Sequence, residues 1–135
     1  MSGQSAPRPI AVTMGDPAGV GPEVAARRWA ARREHSLPPF VAIGDVAAIE
    51  AVWDGPVSRI GDMDEAVRAF DTALPVWHLE DSGPLEPGRP TPAGATCALH
   101  ALETGIGLTR TQASAALVTG PVSKHALHGI GYTHP

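Results

Sequence analysis

One cysteine, Cys97, is all the thiol chemistry that these 135 residues hold. An internal disulfide is therefore excluded, and the composition suits a reducing, cytoplasmic setting. No apolar run approaches the roughly 18 residues needed to cross a bilayer. The opening Met1–Arg8 is polar and lacks the apolar centre of a secretory leader, so it is expected to be a disordered tail. Basic residues are not in excess: the net charge of −4 argues against nucleic acid or an anionic membrane as partner. Aromatic residues make up 4% of the chain, and the scattered Trp29, Trp53 and Trp77 read as packing groups rather than stacking platforms. There is no internal repeat and no low-complexity tract. What remains, 43% hydrophobic and 18% charged, is the composition of an ordinary globular domain. A chain of this length suits one domain, spanning residues 9–135, that buries roughly two thirds of its unfolded surface.

Most of the information lies in Pro9-Ile-Ala-Val-Thr-Met-Gly-Asp-Pro-Ala-Gly-Val-Gly-Pro-Glu23. Ile10 to Met14 reads as a buried strand, Gly15-Asp16-Pro17 breaks it, and Pro22-Glu23 opens a helix. Proline suits the first helical turn because its missing N–H has no intrahelical partner there, and a carboxylate suits the positive end of the helix dipole. Such strand–turn–helix corners place ligands at the carboxyl edge of a parallel sheet. Two familiar phosphate cradles are excluded by spacing. No lysine follows Gly19 and Gly21, as a phosphate loop requires, and Val24 stands where the dinucleotide fingerprint wants its third glycine. Asp16 also adds negative charge to the turn.

Alternating elements follow. A helix is expected over about 22–33, a strand over Phe40–Ile43, and a short helix capped by Asp45 and ending near Trp53. Val57–Ile60 reads as a strand, Asp62 caps a helix to Phe70, and Leu74–Leu79 is a strand that Pro75 marks as an edge or as starting at that residue. Asp81 to Gly94 reads as a long irregular loop. Ala95, Ala98, Leu99, Leu102 and Ile106 then form one apolar stripe of a long helix, and Ala115–Thr119 a buried strand. The pattern predicts an α/β fold, a mostly parallel sheet with helices on both faces.

A second corner, Val118-Thr-Gly-Pro-Val-Ser-Lys124, repeats the first: strand end, glycine–proline turn, helix start. Ser123 is the expected N-cap, which puts Lys124 in the first turn against the dipole. An anion there reverses the penalty by taking bonds from free amides, hydroxyl and ammonium together. His125 and His128, with His134 nearby, are too few and too loosely ordered to read as a metal set. Cys97 reads as a semi-buried, inert thiol, since no base accompanies it. The pairs Arg27-Arg28 and Arg32-Arg33 read as a solvated face, and Asp62, Asp64 and Glu65 as a helix start.

Gly15-Asp-Pro-Ala-Gly-Val-Gly-Pro-Glu23, Pro92-Ala-Gly-Ala95 and Val118-Thr-Gly-Pro-Val-Ser-Lys124, in this order, resemble the 4-hydroxythreonine-4-phosphate dehydrogenases of vitamin B6 synthesis. The likeness covers nearly the whole chain from Pro9, and is more distant to isocitrate and isopropylmalate dehydrogenases. It implies an α/β/α lobe, here incomplete, of a two-lobed homodimeric enzyme. That enzyme oxidises the phosphorylated substrate 4-phosphooxy-L-threonine with NAD or NADP and a divalent metal (Zn, Mg or Co), and decarboxylation follows. By this likeness Asp16, Gly19, Gly21 and Glu23 lie near the cofactor, while Thr119, Gly120, Ser123 and Lys124 border the substrate. The family's Gly-His-Thr-Glu string, metal-binding histidines and most of its cofactor pocket have no counterpart here, so no catalytic or metal-binding residue is expected within the chain. The expectation is an N-terminal portion that is inactive alone. The alternatives are a dehydrogenase of another phosphorylated hydroxy acid (threonate or erythronate phosphate), a non-catalytic binding or assembly module, or a remnant that aggregates through an uncovered edge.

Overall fold

A computed structural model describes residues 8–122 and 124–132, apart from the side chain of Ala126. Five strands form one all-parallel sheet: β1 (Ile10–Thr13), β2 (Phe40–Gly44), β3 (Val57–Arg59), β4 (Leu74–His78) and β5 (Leu117–Thr119), in the order β3-β4-β2-β1-β5. Ile10 lies opposite Phe40, Ala11 opposite Leu117, and Ala42 opposite Val76. Connecting them are α1 (Gly21–Ala30), α2 (Val46–Glu50), α3 (Met63–Ala69) and α4 (Pro92–Arg110), with α5 (Lys124–Gly129) after β5.

Strand alternation divides the core in two. Phe40, Ala42 and Val76 face a cluster with Ala25, Ala26 and Trp29 of α1 and Val46 and Ile49 of α2. Ala11, Val41 and Ile43 face Met63 and Ala66 of α3 and Ala101 of α4. Helices thus cover both faces, as the alternating pattern predicts. The three tryptophans pack as expected: Trp29 meets Trp53 edge-on with ring centroids 5.6 Å apart, and Trp77 packs against the second cluster. Trp29 Nε1 also donates to the carbonyl of Phe70 at 2.7 Å.

Helix starts follow side-chain chemistry. Asp45, Asp62 and Thr91 each accept a hydrogen bond from an amide of the following first turn, at 2.9, 2.9 and 3.0 Å. Of the arginine pairs, Arg27 is an exposed ion-pair partner of Glu23, whereas Arg32 stacks on Trp29 and donates to the carbonyl of Asp71 at 2.7 Å. Arg32 therefore fastens the end of α1, while Arg33 stays solvated as expected in an exposed pair with Asp71.

Three expectations need correction. Pro75 is the second residue of β4, which lies between β3 and β2 and is no edge. Leu74 and Val76 bond toward the β3 side while Leu79 bonds to Gly44 of β2. Alternation then turns the missing N–H of Pro75 toward β2, just before that ladder begins at Ala42 and Val76. The buried side of α4 is a row of small residues, Gly94, Ala95, Cys97, Ala98, Ala101 and Gly105, and Ile106 is exposed. A Cβ on Gly105 would stand 2.7 Å from Leu117 Cδ1 and 3.0 Å from Thr13 Cγ2, so close contact with the sheet selects small side chains there. The strand read over Ala115–Thr119 is regular only over Leu117–Thr119 and is exposed, because among the described residues it borders β1 alone.

Candidate functional site

Both glycine–proline corners lie at the carboxyl edge of the sheet, on the adjacent strands β1 and β5. Backbone bonds knit them together: the Gly120 amide donates to the Thr13 carbonyl at 2.7 Å and the Asp16 amide to the Pro121 carbonyl at 3.3 Å. Gly15, at φ 74°, takes the left-handed turn out of β1, and a side chain there would strike the Pro121 carbonyl. A Cβ on Gly21 would collide with the Met14 carbonyl, and one on Gly120 would stand 2.6 Å from that of Thr13. These glycines let backbone meet backbone, and the contact is what holds the two corners in register.

Between the corners opens a cavity of about 350 Å³, lined by Asp16, Gly19 and Val20 on one side, Pro121 and Val122 on the other, and Gly88 and Pro90 of the loop before α4. That loop is not loose, since the Gly88 amide donates to the Ala18 carbonyl at 2.8 Å. Asp16 is 6% exposed. Its Oδ1 accepts from the Ala18 amide at 2.8 Å, which closes an Asx turn, while its buried Oδ2 has no hydrogen-bond partner among the described residues. A buried carboxylate oxygen left without a donor is costly, so it marks a place where a donor from elsewhere is needed.

Of the residues singled out from sequence, Asp16 and Gly19 line this cavity, Gly21 and Gly120 build its frame, and Thr119 and Gly120 border an apolar hollow on the α1 side of β1 and β5. Glu23 is exposed on α1 in its pair with Arg27. Lys124 is exposed at the start of α5, which has six residues. Ser123, the expected N-cap, and His134 lie outside the described residues. His125 lines a separate cleft of about 280 Å³ with Pro90, Thr91 and Ile130.

Sequence reasoning missed a polar buckle at the ends of β2 and β4. The fully buried Asp45 accepts from the Ala47 amide through Oδ1, and through Oδ2 from the Ser82 amide and hydroxyl at 2.8 and 2.6 Å. Burial alone raises the Asp45 carboxyl, but the bonds from Ser82 and Ala47 outweigh it and hold the group below its ordinary value. His78 Nδ1 accepts from the Val46 amide at 3.1 Å, which assigns the ring proton to Nε2, 3.2 Å from Asp81 Oδ1. Asp45, His78 and Asp81 come close enough together for a metal, yet both Asp45 oxygens and His78 Nδ1 already accept hydrogen bonds, and His78 Nε2 lies against Asp81. The donor set fits a structural clasp and does not fit a metal. Its signal in the sequence was Asp45 as a cap; nothing local marked Ser82 as its partner.

Cys97 is buried on α4, and burial, with the charges of Glu80, Asp45 and Asp16 around it, pushes its thiol up to about 12. A fully buried thiol held protonated in this way is a poor nucleophile, and Cys97 is more buried than the semi-buried site expected.

A sequence profile of the family described as pyridoxal phosphate biosynthetic protein PdxA matches residues 36–135. The chain belongs to this family. The PdxA relatives include 4-hydroxythreonine-4-phosphate dehydrogenases of Zymomonas mobilis, 47% identical over 128 residues, and of Methylorubrum populi, 38% identical. Each match covers 95% of this chain, and the chain spans 38% of the length of either relative. The crystal structure of the Klebsiella pneumoniae 4-hydroxythreonine-4-phosphate dehydrogenase superposes with a TM-score of 0.82 at 30% identity, over 95% of this chain and 41% of that one. The resemblance carried by the two corners is thereby confirmed at the level of the PdxA family, and so is the parallel α/β fold.

Proposed function

We propose that this chain supplies the N-terminal portion of an NAD- or NADP-dependent, metal-dependent dehydrogenase that oxidises 4-phosphooxy-L-threonine on the route to pyridoxal phosphate. The observation that carries the reading is the cavity between the two corners, which Asp16 lines, together with a buried carboxylate oxygen of Asp16 that has no partner among the described residues. A dinucleotide offers hydroxyl donors to such an oxygen, and a carboxylate is a strong acceptor for them. By the family likeness Asp16, Gly19, Gly21 and Glu23 are assigned to the cofactor and Thr119, Gly120, Ser123 and Lys124 to the phosphorylated substrate; of these, Asp16 and Gly19 line the cavity itself. When bound, the nicotinamide accepts hydride and the divalent cation polarises the alcohol oxygen. This chain's contribution is orientation: knitted backbones fix the crevice, and Asp16 holds a donor at a set position.

The chain spans 38% of the length of its relatives, and in this reading catalysis needs the remainder that they carry, in a cytoplasmic homodimer. The 135-residue chain with NAD(P), substrate and a divalent metal is expected to form no reduced nicotinamide. Adding the C-terminal remainder of the Zymomonas mobilis relative, covalently or in trans, is expected to restore the absorbance of the reduced cofactor. Turnover by the chain alone, or none after covalent joining into a folded protein, contradicts the proposal.

A further inference from the structure

The connection from β4 to α4 is fixed firmly at both ends and hardly at all between them. At one end Ser82 is buried, with its amide and hydroxyl bonded to Asp45; at the other Thr91 caps α4. From Gly83 to Pro90 every residue is exposed except the half-buried Leu85, which belongs to neither core cluster. Between the two anchors one hydrogen bond ties this segment to the rest of the described residues, from the Gly88 amide to the Ala18 carbonyl at 2.8 Å. Its remaining bonds are internal: Arg89 closes a turn onto Glu86 through its amide at 2.9 Å and its guanidinium at 3.1 Å.

Glycines flank a stiff centre. Gly83 and Gly88 take left-handed φ values of 78° and 82°, and a Cβ on either would meet nothing within 4 Å. Crowding therefore explains neither glycine; the backbone conformation does, and it is the one in which Gly88 reaches Ala18. Pro84 and Pro87 lie between them, each with φ fixed by its ring. Gly88 and Pro90 in turn form one wall of the cavity that Asp16 lines.

We propose that residues 83–90 are a hinged strap, bending at Gly83 and Gly88 and latched by the Gly88–Ala18 bond, whose release opens the cavity between the corners to its ligand. With the strap lifted, the cavity loses the wall made by Gly88 and Pro90, and solvent and ligand reach Asp16. With the strap down, water is kept from competing for the buried carboxylate. A single exposed backbone bond is a weak latch, so the strap opens locally while the sheet stays folded. The gating role rests on the reading that this cavity holds the ligand; the movement itself does not.

The movement is read without ligand, by residue-resolved amide exchange in the 135-residue chain and by maleimide labelling of Ala18→Cys, at a position that is 7% exposed and lines the cavity. Peptide mapping separates this label from Cys97. The Gly88 amide is expected to exchange at least about tenfold faster than that of Met14, whose bond to the Ile43 carbonyl opens only with the sheet. Gly83→Ala strains a left-handed φ without a clash. It is expected to speed both exchange at Gly88 and labelling at position 18 by about fivefold or more, with Met14 unchanged. Val52→Cys, at an exposed valine outside strap and cavity, should label at one rate with or without the hinge substitution. Should Gly83→Ala disturb the whole fold, seen as faster exchange at Met14, Gly88→Ala places the same strain beside the latch and is read by labelling. A Gly88 amide no faster than Met14, hinge substitutions that change neither rate, or faster exchange with unchanged labelling at position 18 overturns the strap. Because no cofactor or substrate is present, failure here leaves the dehydrogenase proposal standing, and failure of that proposal leaves the strap.

Discussion

At Asp45 the balance between burial and hydrogen bonding decides a measurable property. A carboxyl whose folded pKa lies below its unfolded value of about 3.9 stabilises the fold above that value, and the contribution disappears as pH falls through the folded pKa. Acid titration of unfolding is expected to show stability falling below about pH 4. Asp45→Asn is expected to cost about 1–3 kcal/mol at neutral pH by disturbing its bonds to Ser82, and to flatten that acid limb in chemical denaturation. An unchanged acid limb would remove Asp45 from the account. Cys97 gives a second check: with a thiol pushed up to about 12, the folded chain should resist alkylation at pH 8 and react only when denatured. That Cys97 lies on the apolar side of α4 was legible from its place beside Ala98. The Asp45–Ser82–His78 clasp was not, because its partners lie far apart in sequence and meet only once β2 and β4 are side by side.

Among the elements, α4 shows how far periodicity carries. The stripe Ala95, Ala98, Leu99, Leu102 and Ile106 located the helix, whose start at Pro92 lies inside the stretch read as a loop up to Gly94. The inward face was read correctly at Ala95 and Ala98 and missed at Ile106, because periodicity weighs large apolar residues whereas the fit of α4 onto β1 and β5 needs small ones. Gly105→Val is accordingly expected to cost about 1–3 kcal/mol by overpacking against Leu117 and Thr13. Ile106→Lys, one residue on and exposed, should change stability by no more than about 0.5 kcal/mol. Thermal unfolding of the two variants separates the alternatives; equal losses would show that the packing side is misassigned. Pro75 teaches the same lesson, since a missing N–H excludes one ladder bond and not a central strand. Cap residues were read correctly because a cap bonds within a few residues of itself, so Asp45 and Asp62 begin their helices as their sequence neighbours indicate.

For the whole molecule, the alternation of strands and helices was enough for a parallel α/β sheet, and the two corner motifs for the PdxA family. The order β3-β4-β2-β1-β5 was beyond a sequence reading, because it depends on which faces pair after collapse. So was the exposure of β5, whose apolar residues read as core and instead border an open edge. The central claim is that the cavity between the corners binds a ligand through Asp16, and substitution by asparagine isolates it. Asparagine keeps the Oδ1 bond to Ala18 and removes a buried charge without a partner, so stability should hold or rise. The decisive measurement is NAD affinity, by titration calorimetry, of Asp16→Asn in the chain joined to its relatives' remainder. An affinity lower by about tenfold or more with stability retained is the predicted result, and an affinity equal to that of the unsubstituted protein would contradict the account.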